Sequence, residues 1–402
     1  MKEELNAKEY LSKLSEEELF KEFKRKCKNG LVLCAKCKKP IFDKKNSKTG
    51  LRFMSHYKNN NLDMKCDNFD ISAMNKYGAR SNIYYGEGSI HEELNNFITN
   101  LLKNEKRFQN VQPEKYIFSN IQKYHNGIRK RKKPDIQADF AGTKIAFEIQ
   151  LSYQLHIDFF SREEFYKEDG IFLMWFFYNL NKEDFKESDK MIFWNSNENA
   201  YVITEETKKL SRKVNMLHFN CYYNQIECED SGDFISTSHE KIITFNDLTY
   251  CHVRKEIYYK DPQIDKIKSK ILIFSEENDI ISSDSICEDI INLIGKCPKY
   301  NNKLIKILQV IFSLKLNKII GYKFSNFIAL LNNYFYYYKG FEMIIFRAIK
   351  IYNRANTIKE NEKYASLEKK IIKFKKEKGE QNNEYNEVIY LIFPELYPTS
   401  TS

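Results

Sequence analysis

Residues 132–152, with the sequence KKPDIQADFAGTKIAFEIQLS, decide the fold of the central part of this chain. Ala141-Gly142-Thr143 has the composition of a tight turn, and apolar and polar residues alternate on both sides of it. The pattern predicts two antiparallel strands, over residues 134–140 and 144–151, joined by that turn.

The alternation places two carboxylates on one face of this hairpin. Successive side chains of a strand point to opposite faces, so Glu148 and Gln150 share the face opposite Ile149, and Asp135 lies on the same side. An unpaired buried carboxylate costs several kcal/mol and therefore needs a cation, a proton or firm donors. Two converging carboxylates suit Mg²⁺ or Mn²⁺, which can lower the pKa of a bound water and neutralise charge on a phosphate.

The flanking sequence predicts a small mixed α+β sheet around the hairpin. A helix begins at Ser89, a plausible N-cap, and a short strand is expected at 116–118. A second helix is expected at 158–168, and the continuous apolar run 171–178 is typical of a strand buried on both faces. The predicted order is helix, three-strand meander, crossover helix, strand.

The stretch resembles the PD-(D/E)xK signature of the restriction-endonuclease-like nucleases, through Pro134-Asp135 and Glu148-x-Gln150. It is most similar to the competence-associated CoiA-like nucleases and their uncharacterised bacterial relatives. In that group a CxxC…H element precedes the core, and a helix with an arginine and an aromatic follows it. The resemblance covers about residues 31–180 and implies a restriction-endonuclease-like core with an N-terminal zinc-ribbon-like element.

The resemblance implies roles for three residues of the hairpin. Asp135 and Glu148 would hold the catalytic Mg²⁺ or Mn²⁺, and Gln150 would orient the attacking water. Lysine is usual at that last position, and glutamine carries no charge, although its amide can position water or ligate through oxygen. Two alternatives remain: a solvated sheet face without a metal, and a nuclease fold that binds nucleic acid without cutting it.

The family also has an acid on the first helix. By its position beside the apolar face of that helix, we assign this role to Glu93, with Glu87 and Glu92 as alternatives. In the second helix, Arg162 and Tyr166 match the arginine and the aromatic of the family.

A structural zinc site is expected before the core. Cys34 and Cys37 form a CxxC pair, and His56 and Cys66 follow in a polar stretch. Thiolates and an imidazole at such spacings suit tetrahedral Zn²⁺, which would help so polar a region to fold. Ordinary free cysteines are the alternative.

A basic run stands directly before Pro134, in a chain of formal net charge +10. Most charge runs are solvated loops, but this one adjoins the expected metal site, which favours contact with a phosphate backbone. The residues predicted to bind nucleic acid are Arg129, Lys130, Arg131, Lys132, Lys133 and Arg162.

The chain of 402 residues divides into an N-terminal helix (1–30), the zinc-ribbon-like element (31–85), the core (86–180), a strand-rich extension (181–263) and a helical C-terminal domain (264–402). No stretch approaches the ~18 apolar residues of a membrane helix, and the N-terminus is unlike a signal peptide, so a cytoplasmic protein is expected. The C-terminal domain could mediate a homo-oligomer or bind a protein partner.

The sequence therefore predicts a Mg²⁺-dependent phosphodiesterase, most simply a deoxyribonuclease for foreign-DNA processing or antiphage defence. The alternative is a non-catalytic nucleic-acid-binding or interaction protein on a degenerate nuclease fold.

Overall fold

The computed structural model of the chain describes residues 6–35, 37–45, 50, 52–56, 87–124, 127–151, 156–229, 233–274, 282–298, 301–338, 340–354, 369 and 385–398. The chain forms two compact units. The first comprises residues 1–222 and 240–246, and the second comprises residues 223–239 and 247–402. None of the described helices is long and apolar enough to cross a membrane.

The first unit begins with a short helical segment and a β-hairpin. Helix α1 (Ala7–Lys13) is followed by a π-helical turn (Glu18–Phe23), which continues into α2 (Lys24–Lys28). Strands β1 (Ile41–Lys45) and β2 (Arg52–His56) then pair in antiparallel fashion. Apolar side chains of the helical segment are buried against the core of the unit, among them Leu11, Leu19, Phe20 and Phe23.

The core of the first unit is a helix followed by a sheet with one crossover. Its elements in chain order are α3 (Glu87–Asn104), β3 (Phe108–Pro113), β4 (Ile117–Lys123), β5 (Arg129–Lys132), β6 (Ile136–Phe140), β7 (Thr143–Gln150), α4 (His156–Glu168) and β8 (Phe172–Tyr178). Strands β3, β6 and β7 form an antiparallel meander, and β8 runs parallel to β7 after the crossover helix α4. Strands β4 and β5, which lie between β3 and β6 in the sequence, form a separate two-stranded sheet.

Further elements extend the sheet to seven strands. They are α5 (Glu187–Asn195), β9 (Asn199–Ile203), α6 (Glu205–Val214), β10 (Phe219–Cys228) and β11 (Phe234–Ile243). The strand order is β11-β10-β9-β8-β7-β6-β3, and β9 is parallel to β8.

Strand β7 lies in the middle of this sheet with all residues from 145 to 150 buried. On one face Phe147 contacts the rings of Phe108, Phe176 and Phe245, with centroids 5.8–6.4 Å apart. On the other face Ala146 packs in a cluster with aromatic residues of α4. Burial on both faces accounts for the apolar sequence of β7. Two polar residues of the strand, Glu148 and Gln150, are buried as well.

The mixed α+β class, the hairpin of β6 and β7, the crossover helix and the buried strand β8 are confirmed. One expectation was wrong: the first strand of the meander is Phe108–Pro113, whereas residues 116–118 contribute to the outer hairpin. The basic run before Pro134 forms strand β5, which pairs with β4. The strand-rich region 181–263 also holds two helices, α5 and α6.

The second unit is mainly helical. It contains the short strands β12 (Thr249–Cys251) and β13 (Glu256–Tyr258) and the helices α7 (Pro262–Ile273), α8 (Ser283–Ile294), α9 (Asn301–Leu316), α10 (Phe327–Tyr337), α11 (Glu342–Ile351) and α12 (Asn386–Ile392). Their apolar faces form one large core. In α10, Tyr334 and Phe335 are buried in that core, while Tyr336 and Tyr337 are exposed.

Candidate active site and metal centre

The register of β6 and β7 brings Asp135 beside Glu148. Ile136 pairs with Phe147 at the end of the antiparallel ladder, so the next position places Asp135 opposite Glu148. Side chains of directly opposite residues in an antiparallel pair lie on one face, with Cβ atoms roughly 5 Å apart. The two predicted carboxylates are therefore neighbours.

Asp135 is held through both its side chain and its backbone. Its Oδ2 accepts a hydrogen bond from the Ile149 amide at 2.6 Å, and its Oδ1 lies 3.2 Å from Nε2 of His91. Its carbonyl accepts from Asn95 Nδ2 at 3.1 Å and from the Glu114 amide at 2.8 Å. The hydrogen bond to Asp135 is the main reason why the pKa of His91 is raised. Helix α3 thus holds the first acid through His91 and Asn95.

Glu148 is a buried carboxylate, with its side chain 4% exposed. Arg162 Nη1 donates to its Oε1 at 2.5 Å, and the Tyr166 hydroxyl donates to the same oxygen at 3.0 Å. Burial raises the pKa of the Glu148 carboxyl to about 8, against the charge of Arg162, and nearby Asp135 adds to the rise. Both donors described for Glu148 bond Oε1, so Oε2 is the oxygen that can take a further ligand.

Gln150 lies on the same face of β7 as Glu148 and is also buried. It lines a cavity of about 260 Å³, together with Phe177, Tyr178, Lys186 and other residues. The predicted alternation along β7 is therefore confirmed, and it directs Glu148 toward α4 and Gln150 into this cavity.

The structure does not bring Glu93 to the two acids. Its side chain is 59% exposed and accepts a hydrogen bond at 2.6 Å from Lys208 of α6, which also pairs with Glu205. The residue of α3 whose side chain reaches the Asp135 carboxylate is His91. Glu92 is exposed, and the side chain of Glu87 lies outside the described residues. The assignment of the helix acid to Glu93 is therefore corrected, since a helix turns by ~100° per residue and residues 91 and 93 face different neighbours.

The donor set of Asp135 and Glu148 fits a hard cation. Mg²⁺ is usually bound through one or two carboxylates, with waters and substrate phosphates completing its shell. These two acids alone supply that number, and the Gln150 amide oxygen is a third oxygen donor on the same face. Binding at Oδ1 of Asp135 would compete with His91.

A second group of ligands lies in the N-terminal part of the unit. Within the described ranges, Cys34, Cys37 and His56 are the one group of three or more His, Cys, Asp or Glu side chains whose ligand atoms all lie within 4.8 Å of one another. The Cys37 sulfur is 3.2 Å from His56 Nε2. The turn is closed by a hydrogen bond from the Lys38 amide to the Cys34 carbonyl at 2.8 Å, with Lys38 at φ 55°. Cys66 lies outside the described residues.

The hairpin that carries His56 also holds a buried ion cluster. Asp43 of β1 is fully buried between Lys24 Nζ at 3.1 Å and Arg52 Nη1 at 2.8 Å. The ring of His156, the first residue of α4, lies 5.2 Å from that of Phe42. Burial lowers the pKa of His156 to about 4, and the charge of Lys24 adds to this effect.

Helix α2 is bound to α4 next to Arg162. Arg25 pairs with Glu163 at 2.9 Å, and Lys28 pairs with Glu164. Helix α2 is therefore bonded to the two residues that directly follow Arg162 in α4.

Three of the five basic residues before Pro134 have hydrogen-bonding or ion-pair partners within the protein. Arg129 donates to a backbone carbonyl of β4 at 2.6 Å, Lys132 donates to Ser161 at 2.8 Å, and Lys133 pairs with Glu114 at 2.7 Å. These side chains are therefore bonded within the protein, and the geometry does not favour phosphate contact by all five basic residues.

The other two are Lys130, which is half-buried, and Arg131, which is exposed and lies with its guanidinium 4.5 Å from the centre of the Tyr116 ring. Arg162 bonds Glu148 and the carbonyl of Lys133, so its first role in the structure is to pair with the buried acid.

Two family models match the chain. Residues 78–262 are similar to a Domain of unknown function (DUF6035), and residues 196–395 are similar to another Domain of unknown function (DUF7829). The first match includes the meander, the crossover helix and both candidate carboxylates. No curated protein and no solved structure matches the chain.

Proposed function

We propose that the first unit is a restriction-endonuclease-like, metal-dependent nuclease that hydrolyses phosphodiester bonds, most simply in DNA. One observation carries the proposal: Asp135 stands opposite Glu148 in a hairpin that is preceded by a helix and followed by a crossover helix and a parallel strand. Arg162 and Tyr166 bond Oε1 of the buried Glu148, so Oε2 and the Asp135 carboxylate would supply the oxygen ligands that a divalent cation takes.

Asp135 and Glu148 would hold Mg²⁺ or Mn²⁺, Glu148 through Oε2. When bound, the cation supplies positive charge at the scissile phosphate. The Gln150 amide, two residues farther along β7, would orient the attacking water by a hydrogen bond. Arg162 keeps Oε1 of Glu148 in place, and its remaining donors can reach a phosphate oxygen.

We further propose that Cys34, Cys37 and His56 hold a structural Zn²⁺, with Cys66 as the fourth ligand. Two thiolates and one imidazole form the soft donor set that structural zinc prefers. The site would fix the hairpin of β1 and β2, whose apolar content is low.

The experiment incubates the purified chain with labelled single- and double-stranded DNA and RNA, with and without added Mn²⁺. The wild type should yield products only with the cation, and Asp135→Asn and Glu148→Gln should each abolish them. Asp139→Asn is the matched control, because Asp139 lies in β6 but its carboxylate bonds Asn110 at the far end of the strand. Cutting that persists in both active-site variants would refute the proposal.

A second candidate is nucleic-acid binding without hydrolysis. It is favoured by one observation, that the third position holds Gln150 in place of a charged lysine. This candidate predicts salt-sensitive binding that Glu148→Gln leaves intact, and no products with any divalent cation. A role in processing foreign DNA or in defence rests on the sequence resemblance and is tested by the neighbouring genes.

A further inference from the structure

The hairpin of β4 and β5 exposes aromatic rings on one face. Tyr116, which directly precedes β4, is 46% exposed and Phe118 is 48% exposed, with ring centroids 6.4 Å apart. Arg131 pairs with Phe118 across the ladder, and its guanidinium covers the Tyr116 ring at 4.5 Å. We call Tyr116, Phe118 and Arg131 the aromatic platform.

The opposite face of the hairpin is anchored to the protein. Ile117 and Ser119, which alternate with the platform residues, are buried. The Asn120 amide donates to Asp169 Oδ1 at 2.6 Å, and Gln122 Nε2 donates to the Phe165 carbonyl at 3.3 Å. Because the hairpin is held on α4 in this way, the exposed rings belong to an ordered surface.

The hairpin that carries the platform is rich in positive charge, although Lys133 next to it pairs with Glu114 and the Asn120 amide donates to Asp169. Residues 115–134 contain seven lysines and arginines and no aspartate or glutamate. Farther along the hairpin, three more apolar side chains, Ile121, Tyr124 and Ile128, are exposed. A surface that combines exposed rings with positive charge matches a ligand with flat apolar groups on a polyanionic backbone.

We propose that the aromatic platform stacks unpaired bases of a single-stranded nucleic acid, and so makes single-stranded or frayed strands the substrate class. In a duplex the base faces are covered by their neighbours, whereas an unpaired base can lie on Phe118 or extend the stack of Arg131 on Tyr116. The inference rests on the proposed function in one respect, that the bound strand would lead toward Asp135. Arg131 is four residues from Asp135, a chain distance of at most about 14 Å.

The test measures binding by fluorescence anisotropy with a labelled oligothymidylate of about 20 nucleotides and a duplex of the same length, without added Mg²⁺ or Mn²⁺. The wild type should bind the single strand more tightly than the duplex. The double variant Tyr116→Ala/Phe118→Ala should weaken single-strand binding by about tenfold or more, since stacking on one ring changes affinity by roughly five- to 150-fold. Duplex affinity should change little.

Tyr336→Ala/Tyr337→Ala is the matched control, because it removes two exposed rings from the second unit and should leave both affinities unchanged. Tyr116→Leu/Phe118→Leu retains apolar bulk without a ring, so it should weaken single-strand binding as the alanine variant does. Arg131→Gln should weaken it by a smaller factor. Circular dichroism verifies that each variant folds.

Equal affinity of the wild type for single strand and duplex, or single-strand binding that survives the leucine variant, would overturn the platform. These outcomes are independent of hydrolysis, because binding is measured without the cation. Conversely, a chain that cuts nothing but loses single-strand affinity in the platform variants would contradict the proposed function and support the platform.

Discussion

Glu148→Gln should stabilise the protein in the absence of added Mg²⁺ or Mn²⁺ while it removes the proposed activity. Burial raises the pKa of this carboxyl from its ordinary value of 4.5 to about 8. Each tenfold change in proton affinity corresponds to about 1.4 kcal/mol, so the ionised Glu148 lowers the free energy of unfolding by up to about 5 kcal/mol. This cost is what remains after the attraction between Glu148 and Arg162 has been counted, and glutamine, which resembles the protonated acid and keeps an acceptor for Tyr166 and Arg162, avoids it.

The sign of the effect follows from the protons bound. Between pH 4.5 and pH 8 the unfolded chain has lost the proton of Glu148 while the folded protein retains it. The wild type therefore loses stability as pH rises through this range, and the variant does not. The advantage of Glu148→Gln should be small at pH 5 and largest above pH 8.

Urea denaturation followed by tryptophan fluorescence measures this difference, because the two tryptophans, Trp175 and Trp194, both lie in the first unit. Added Mn²⁺ should stabilise the wild type and have little effect on the variant. Asp139→Asn serves as control. The reasoning is refuted if Glu148→Gln changes the unfolding free energy by the same amount at pH 5 and pH 9.

Three further outcomes are expected. The folded protein keeps His156 neutral down to about pH 4, whereas the unfolded chain binds a proton there below about pH 6.5. As the pH falls from 6.5 to 4, the wild type should therefore lose about 3 kcal/mol of stability that His156→Gln retains. Parallel pH profiles of the free energy of unfolding would contradict this. Asp43→Asn should destabilise the first unit by roughly 3–5 kcal/mol in thermal denaturation, because it leaves the buried Lys24 without a charged partner; an unchanged midpoint would count against it. Cys37→Ser should reduce bound zinc from about one ion per chain to none by mass spectrometry, and equal zinc in both proteins would exclude the site.

The hairpin of β6 and β7 and the position of its carboxylates could be predicted because their signals are local. A tight turn at Gly142 fixes the pairing, and strict alternation along β7 then sets the face of Glu148 and Gln150. The buried strand β8 could be predicted equally well, since a short continuous apolar run that follows a helix is typical of a parallel strand covered on both faces.

Strand β3 could not be predicted from its own residues. Its sequence, FQNVQP, is mostly polar and has only Phe108 buried, and it becomes a strand by pairing with β6. Residues 116–118 have the better strand composition, yet they belong to the outer hairpin. In the same way the four cations of β5 form a strand because β4 supplies their partners.

The side of α3 that contacts the sheet could not be predicted from the sequence either. Periodicity identifies the apolar stripe of a helix, but His91 and Glu93 border that stripe on different sides, and nothing local says which border meets the sheet. Packing decides the question: Lys208 of α6 pairs with Glu93, and Asp135 pairs with His91.

The burial of six consecutive residues, 145–150, leaves this part of β7 without a position where substitutions are neutral. In a saturation mutagenesis of the chain, positions 145–150 would form one intolerant block, but for two different reasons. Changes at the apolar positions would lower the amount of soluble protein; these positions are Ile145, Ala146, Phe147 and Ile149. Conservative changes at Glu148 and Gln150 would leave the amount intact and lower the proposed nuclease activity per molecule. Paired measurements of abundance and of this activity would then separate the positions that maintain the fold from the two that are proposed to act in catalysis.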